Sequence, residues 1–253
     1  MSIWGDDGLG DWRIAAATRL TADVPAAFPG GPSYKAGTPV YQATHIERNG
    51  GYFGFTLPSA PAMAFNVAID SNKCAMVILR SLEFHDTLTP DGQGKGVSHD
   101  HIENLYNFFE RCMISATFSF QALEAYCNHA ILTKLKESMV INRGGKKVQM
   151  SPSEIERQLP TPEKLSVVLP KLYGVPTPKG KKVWEPYKRL QAARDSTIHL
   201  KAYDQYASYN ESLFVKFLDG EFNEYPSAAA NMIRHFVGDD RPRWLKVLEG
   251  RGI

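Results

Sequence analysis

Apolar and polar positions change their spacing along this chain near residue 90. Before that point, residues 38–57 are β-prone on both sides of Asn49 and Gly50, a strong signal for a hairpin turn. Residues 64–84 are β-prone on both sides of a four-residue polar connection and predict a second hairpin. The sequence therefore predicts a small antiparallel β-sheet in a β-rich N-terminal region, residues 1–90.

A helical pattern follows a glycine-rich segment, residues 90–96, which is predicted to be a hinge. Asp100 and Glu103 have the spacing of an N-cap and its capping-box partner. Behind them, apolar residues recur at helical spacing to about Lys136, which predicts one long helix whose apolar stripe is core or dimer interface.

Shorter helices are predicted for the rest of the chain. They begin at Thr161, which is followed by Pro162, and at Pro186, and they cover residues 209–217, 228–237 and 243–249. Pro170 and Gly174 are predicted to end the first of these helices. The predicted fold class is α+β: a small antiparallel β-sheet at the N-terminus, followed by an all-α helical bundle over residues 98–253.

Composition favours a soluble, cytoplasmic protein. The 253 residues are 43% hydrophobic, and no uninterrupted apolar run approaches the roughly 20 residues that cross a bilayer. The first residues lack the basic and apolar regions of a signal peptide. Cys74, Cys112 and Cys127 form no C-x-x-C pair, so we expect reduced, buried thiols instead of disulfides or a thiolate zinc site.

Charge is distributed unevenly along the chain. Residues 134–201 hold fifteen Lys or Arg against six acidic residues, a net +9, so the remainder of the chain carries −7. A solvated basic surface and a polyanion-binding surface explain this block equally well. In the second case the residues predicted to contact RNA are Lys146, Lys147, Lys188, Arg189 and Lys201.

The basic block ends on Arg194 and His199, with Asp195 directly after the arginine. An imidazole can take the proton of an RNA 2′-hydroxyl at neutral pH, and an arginine fork can stabilise charge on the phosphoryl oxygens. This scheme needs neither a metal ion nor a cofactor. Asp195 would hold the arginine or the loop by hydrogen bonding.

Geometry sets a condition on this scheme. Positions five apart differ by about 140° around a straight helix, so one unbroken helix would direct Arg194 and His199 to different faces. We therefore predict a helix break at Asp195, which would cap a new helix beginning at Ser196.

Arg194, Asp195 and His199, together with the long helix that bears Glu124 and Asn128, resemble the HEPN family (higher eukaryotes and prokaryotes nucleotide-binding domain). The family's ribonuclease signature is R-x4-6-H, and the resemblance covers residues 100–237. It implies a metal-independent endoribonuclease that works as a homodimer, with two motifs forming one composite site. It also implies a toxin or phage-defence role, with a possible antitoxin or activator protein as partner.

Two features of this resemblance stay open. Glu124 and Asn128 lie four apart on one helix face, where they support Arg194 or His199, or form a polar layer of the bundle. Lys201 stands where some HEPN groups have a tyrosine. The alternative function is a non-catalytic dimeric helical module that binds RNA or a protein partner, and a weaker alternative is nucleotidyl transfer.

A metal site is not predicted. His99, Asp100 and His101 resemble a ligand cluster but lack a third convergent ligand. Phe108, Phe109, Phe118 and Phe120 are expected in the core, where helical spacing places them, and not on a base-stacking surface.

Overall fold

The computed structural model describes residues 8–89, 92–205 and 212–250. The protein has a mixed α+β fold with small two-stranded antiparallel sheets, which confirms the predicted class. The prediction that strands are confined to the N-terminal region was wrong, because two of the four sheets among the described residues lie beyond residue 83. The chain divides into two compact units, Met1–Met63 with Arg241–Gly252, and Ala64–Asp240. This division differs from the predicted boundary at residues 90–98.

The first unit contains two small sheets. Its strands are β1 (Ala17–Arg19), β2 (Pro39–Tyr41), β3 (Ala43–Arg48) and β4 (Gly51–Thr56), paired β1 with β2 and β3 with β4. Asn49 and Gly50 form the β3–β4 turn with φ of 54° and 75°, the left-handed conformation that a type I′ hairpin requires. The hairpin predicted at these residues is therefore confirmed.

The C-terminal helix α9 (Arg243–Gly250) belongs to this first unit and buries Trp244, Leu245 and Leu248. The guanidinium of Arg243 donates to the backbone carbonyls of Gly10 and Asp11, at 2.6 and 2.8 Å. These two bonds connect segments of the chain more than 230 residues apart.

Helix α1 (Ala60–Ser81) replaces the predicted second hairpin, which was wrong. Its buried positions, which include Phe65, Ala68, Ile69, Asn72 and Ala75, recur at helical spacing, so the polar run 70–73 is one turn of a helix. By length and composition α1 is the one helix among the described residues that could cross a membrane. Of its apolar window, 44% is buried inside the protein.

The predicted hinge is part of a third hairpin, β5 (Phe84–Thr89) with β6 (Gly92–Val97). Pro90 and Asp91 lie outside the described residues. The glycine-rich sequence predicts a hinge because glycine is depleted in strands. Here alternating glycines of β6 lie opposite His85, Thr87 and Thr89 of β5.

Helix α2 (Ile102–Lys134) is the long helix that the sequence predicts, and twelve of its residues are buried. Phe108 and Phe120 are among them, as expected. The predicted cap at Asp100 was wrong, because Asp100 lies in a 3-10 turn, His99–His101, and His101 occupies the cap position without a side-chain hydrogen bond.

The fourth hairpin consists of β7 (Met139–Arg143) and β8 (Lys146–Met150). Gly144 and Gly145 form its turn with φ of 56° and 82°. The basic turn was predicted, but its flanking strands were not. Buried Ile141 and Met150 fix one face of the hairpin on the core.

The helices that follow are α3 (Pro152–Gln158), α4 (Thr161–Glu163), α5 (Leu169–Tyr173), α6 (Trp184–Ile198), α7 (Leu213–Leu218) and α8 (Tyr225–Val237). A π-helical turn, Lys164–Val168, joins α4 to α5, and the Leu169 N–H donates to the Lys164 carbonyl five residues earlier. Pro170 does not end this segment as predicted, because the wider turn accommodates the residue without an N–H. Gly174 ends it, with a φ of 66°.

Helix α2 packs against α6 and α8 in the centre of the second unit. This arrangement places the predicted motif at the end of a helix that lies along α2. The predicted helix over 209–217 falls partly outside the described residues, and its described part is α7.

Candidate functional site

Helix α6 positions the three motif residues. Pro186 lies in its first turn, and Tyr187, Leu190 and Ala193 form its buried stripe, all as predicted. The predicted inward positions Ile198 and Ala202 were wrong, because both side chains are exposed.

The helix is continuous through Asp195 and ends at Ile198, so the predicted break at Asp195 was wrong. His199 is the C-cap residue, and its backbone N–H donates to the Asp195 carbonyl at 3.0 Å. The Asp195 carboxylate accepts from the Arg194 guanidinium, also at 3.0 Å, and does not cap a new helix. Its preference for a cap position is outweighed by the continuing helical hydrogen bonds of α6.

The unbroken helix separates Arg194 from Ser196 and His199. Arg194 lies on the side of α6 that meets α2, whereas Ser196 lies about 160° away around the helix, given 100° per residue. His199 follows Ser196 by three residues and is exposed. One chain therefore does not direct Arg194 and His199 to the same phosphate.

Arg194 is held on two sides. Its guanidinium carbon lies 4.9 Å from the centroid of the Phe120 ring, and its Nη1 donates to Asp195. Phe120 also stacks on Tyr187, with the ring centroids 6.4 Å apart. The Arg194 side chain keeps 31% of its surface exposed, so the guanidinium is fixed in position but still reaches solvent. Asp195 thus holds the arginine, which is one of the two roles expected for it.

Glu124 and Asn128 bond to a different segment of the chain. The Thr161 hydroxyl donates to Glu124 at 2.9 Å, and the Lys164 ammonium donates to Asn128 Oδ1 at 2.7 Å. These contacts form a polar layer between α2 and the segment that contains α4 and the π-helical turn. Of the two interpretations of this pair, the contacts correspond to the polar layer of the bundle. Within the described part of the chain, no hydrogen bond joins either residue to Arg194 or His199.

Lys164 is the most unusual residue of this layer. It is only 2% exposed, and its ammonium is held by Asn128 and by the Glu156 carbonyl, each at 2.7 Å. Lys164 is one of the fifteen basic residues of the block at 134–201, and its burial removes it from any basic surface. The apolar residues that follow it, Leu165 and Val168, were the signal that its position is buried.

Tyr187 is a second residue that no sequence pattern connects with the site, and it stacks on the same Phe120 ring that Arg194 contacts. Its hydroxyl is buried without a hydrogen-bond partner among the described residues. Burial raises the pKa of this hydroxyl, and the negative charges of Asp195 and Glu124 raise it further. Asp195 and Glu124 therefore act on the same buried hydroxyl from α6 and α2.

The predicted RNA-binding residues lie on two parts of the second unit. Lys146 and Lys147 are exposed beside the turn of the β7–β8 hairpin. Lys188 and Arg189 are exposed on α6, where Lys188 donates to Gln191 and Arg189 pairs with Glu224. Lys201 is exposed after the end of α6.

The cysteines and the His99–His101 segment supply no metal site in the described residues. No group of three or more His, Cys, Asp or Glu side chains there lies close enough together to hold an ion. Cys112 and Cys127 are buried free thiols as expected, whereas Cys74 is exposed, contrary to the prediction. Burial raises the pKa of both buried thiols, which makes them unreactive.

Comparison of the chain with protein-family models, with curated proteins and with solved structures gives no match. The candidate site is therefore defined by its own geometry: an exposed histidine at the end of α6, and an arginine on the same helix held between an aromatic ring and a carboxylate.

Proposed function

We propose that this protein is a metal-independent endoribonuclease of the HEPN type, in which His199 and Arg194 act on the phosphodiester. The supporting observation is the accessibility of both groups: His199 is exposed at the end of α6, and Arg194 is fixed by Phe120 and Asp195 with part of its surface open. A fixed, solvent-reaching guanidinium suits binding of phosphoryl oxygens.

The continuous helix α6 favours a composite site in a homodimer. Arg194 and His199 of one chain diverge, so the phosphate would be held by Arg194 of one protomer and attacked with the help of His199 from its partner. The two-fold axis would then bring His199 of each protomer to the phosphate that Arg194 of the other protomer holds.

The chemistry balances with one imidazole, which first accepts a proton and then returns it. A neutral His199 takes the proton of the ribose 2′-hydroxyl, and the 2′-oxygen forms a bond to phosphorus. The bond from phosphorus to the 5′-oxygen breaks, and the protonated His199 gives its proton to that oxygen. The products are a 2′,3′-cyclic phosphate and a 5′-hydroxyl end. Arg194 stabilises the charge on the phosphoryl oxygens throughout.

A cytoplasmic toxin or phage-defence role, controlled by an antitoxin or activator protein, is the biological setting that this activity implies. Lys146, Lys147, Lys188, Arg189 and Lys201 are proposed to contact the RNA backbone, because each is exposed.

The second candidate function is a non-catalytic dimeric module that binds RNA or a protein. The contact of Arg194 with Phe120 favours it, because an arginine that joins α6 to α2 has a structural role without any chemistry.

The two candidate functions can be distinguished by incubating labelled RNA with the purified protein in excess EDTA. A ribonuclease should produce cyclic phosphate ends. The cleavage rate should fall at least a hundredfold in His199→Ala, which is about the contribution of one acid–base group. Arg194→Ala should cause a similar loss. The matched controls are His129→Ala and Arg111→Ala, which remove exposed side chains of α2. Unchanged cleavage in His199→Ala or Arg194→Ala would contradict the proposal, and binding without cleavage would support the module.

A further inference from the structure

A cavity of about 120 Å³ lies beside α6, on the side away from Arg194. It is enclosed by α6, by α7 and by the 3-10 turn Glu221–Glu224 with the start of α8. Ala192, Ala193 and Leu213 provide apolar walls, and Ser196, Lys216 and Glu221 provide polar groups. All of these residues belong to the second unit.

The size of the cavity limits what it can hold. An engineered cavity of about 150 Å³ holds one benzene molecule, so this cavity suits a single six-membered ring and is small for a fused double ring. Its polar walls disfavour a purely hydrocarbon ligand, because such a ligand would leave these groups without hydrogen bonds.

Three of the polar side chains that line the cavity are available to a ligand, and a fourth, that of buried Tyr225, has a hydroxyl without a hydrogen-bond partner among the described residues. Ser196, Lys216 and Glu221 are half-buried, and none of them has a side-chain hydrogen bond or an ion pair within the described residues. Two others are engaged. Arg189 pairs with Glu224, and both carboxylate oxygens of Asp204 accept backbone N–H groups, from Lys201 and Leu213.

The available groups include donors and acceptors, and the Ser196 hydroxyl can act as either. The Lys216 ammonium and the Ser196 hydroxyl can donate to ring carbonyl oxygens, and the Glu221 carboxylate can accept from a ring N–H or an amino group. A pyrimidine base carries this combination on its edge: carbonyl oxygens, with the N3–H of uracil or the amino group of cytosine.

The cavity also lies close to His199 along the chain. Ser196 precedes His199 by three residues, which is about 4.5 Å along the helix axis. A nucleotide whose base enters the cavity would therefore have its ribose and phosphate at the end of α6 where His199 is exposed.

We infer that this cavity binds a pyrimidine base of single-stranded RNA, and that it gives the proposed ribonuclease its base preference. This inference rests on the proposed function for its biological meaning. Binding itself can be measured without cleavage.

The test uses fluorescent 2′-O-methyl hexamers of U, C and A, which lack the nucleophilic hydroxyl, with the full chain and fluorescence anisotropy at one fixed salt concentration. The U and C hexamers should bind at least tenfold more tightly than the A hexamer, about what one good pair of base-edge hydrogen bonds provides. Ala192→Trp places an indole over the cavity from an exposed position and should reduce this preference below about twofold.

Two further variants and one control make the result specific to the cavity. Lys216→Ala and Glu221→Gln should each weaken pyrimidine binding and leave binding of the A hexamer within about twofold, because phosphate contacts do not depend on the base. Gln191→Trp changes a neighbouring position of α6 that does not line the cavity, and it should keep the preference. Circular dichroism confirms that each variant is folded.

The inference is overturned if none of the hexamers binds, if all three bind equally, or if Ala192→Trp keeps the full preference. These outcomes are distinct from failure of the proposed function. If the protein binds pyrimidine hexamers preferentially, loses this preference in Ala192→Trp and yet does not cleave RNA in EDTA, the result would support base binding in the cavity and refute the proposed ribonuclease activity. Cleavage without base preference would do the reverse.

Discussion

The guanidinium of Arg194 lies over the ring of Phe120, with its carbon 4.9 Å from the ring centroid. The two residues belong to α6 and α2, the helices that meet in the centre of the second unit. Asp195 holds the same guanidinium from the side. Arg194 therefore stabilises the contact between two helices and presents a fixed cation to solvent, and a lysine could not reproduce its planar stacking.

The Arg194–Phe120 contact should be measurable as a coupling energy. A double-mutant cycle with Phe120→Leu and Arg194→Gln should give a coupling of about 0.5–1 kcal/mol in the free energy of unfolding, the range for a partly exposed cation–π pair. Urea unfolding of the four proteins measures it. Additive effects of the two substitutions would show that the contact contributes nothing.

Local sequence signals predicted the elements whose determinants are local. The apolar stripe of α2, the stripe of α6 at Tyr187, Leu190 and Ala193, and the turn at Asn49 and Gly50 were all predicted correctly. Each depends on residues within a few positions of one another.

The failures involve contacts between distant residues. The polar run 70–73 predicts a turn, but it lies inside helix α1. Its Asn72 side chain is buried there and donates to the carbonyl of Phe222, at 2.7 Å and 150 residues away. For Glu124, the sequence left open whether it supports the motif or forms a polar layer, and its hydrogen bond with Thr161, 37 residues away, belongs to the polar layer. Tertiary partners of this kind leave no periodic pattern in the sequence.

Asn128 should be important for stability because it accepts from a buried charge. Asn128→Leu should lower the free energy of unfolding by about 1.5–3 kcal/mol, the contribution of a hydrogen bond to a charged group. Adding Lys164→Met should recover part of this loss, since it removes the buried charge that lacks its partner.

Urea unfolding of the single and double variants tests this relationship. The matched control is His129→Ala, an exposed neighbour on α2 that should change the free energy of unfolding by less than about 0.5 kcal/mol. A double variant less stable than Asn128→Leu would contradict the role assigned to Asn128.

The three cysteines should differ in reactivity. Cys74 is exposed, whereas Cys112 and Cys127 are buried with raised pKa values. Titration of the native protein with a thiol reagent such as DTNB should therefore modify Cys74 rapidly, and the other two only after unfolding in denaturant. Cys74→Ser should abolish the rapid phase. A rapid phase that persists in this variant would mean that a buried thiol is accessible.

The stability of the first unit should fall in acid because of Asp11. A hydrogen bond from the Arg13 side chain lowers the pKa of this carboxyl, and the Arg13 backbone N–H and the charges of Arg13 and Arg243 act in the same direction. The pKa of an aspartate in an unfolded chain is about 3.9. A carboxyl with a lower pKa in the folded state stabilises the protein at pH values above about 3.9, and this stabilisation is lost as the pH falls through the folded-state pKa.

Asp11→Asn removes this titration. The difference in the free energy of unfolding between the wild type and Asp11→Asn should be largest at neutral pH and should shrink as the pH falls below about 4. Urea unfolding followed by tryptophan fluorescence, to which buried Trp12 contributes, measures it. Asp239→Asn, at an exposed position of the second unit, is the control. A difference that stays constant with pH would rule out the Asp11 contribution.

Salt dependence should show whether the β7–β8 hairpin contacts RNA. Lys146 and Lys147 are exposed beside the glycine turn of this hairpin, and neither has an ion pair among the described residues, so both charges are available to phosphates. Each phosphate contact to a single strand contributes about −0.7 to the slope of log K against log salt concentration. The double variant Lys146→Ala, Lys147→Ala should therefore reduce the magnitude of the slope by about 1.4. The control variant Lys73→Ala, Lys95→Ala removes two exposed lysines outside the basic block and should leave the slope unchanged. An unchanged slope in the hairpin variant would mean that RNA binds without this hairpin.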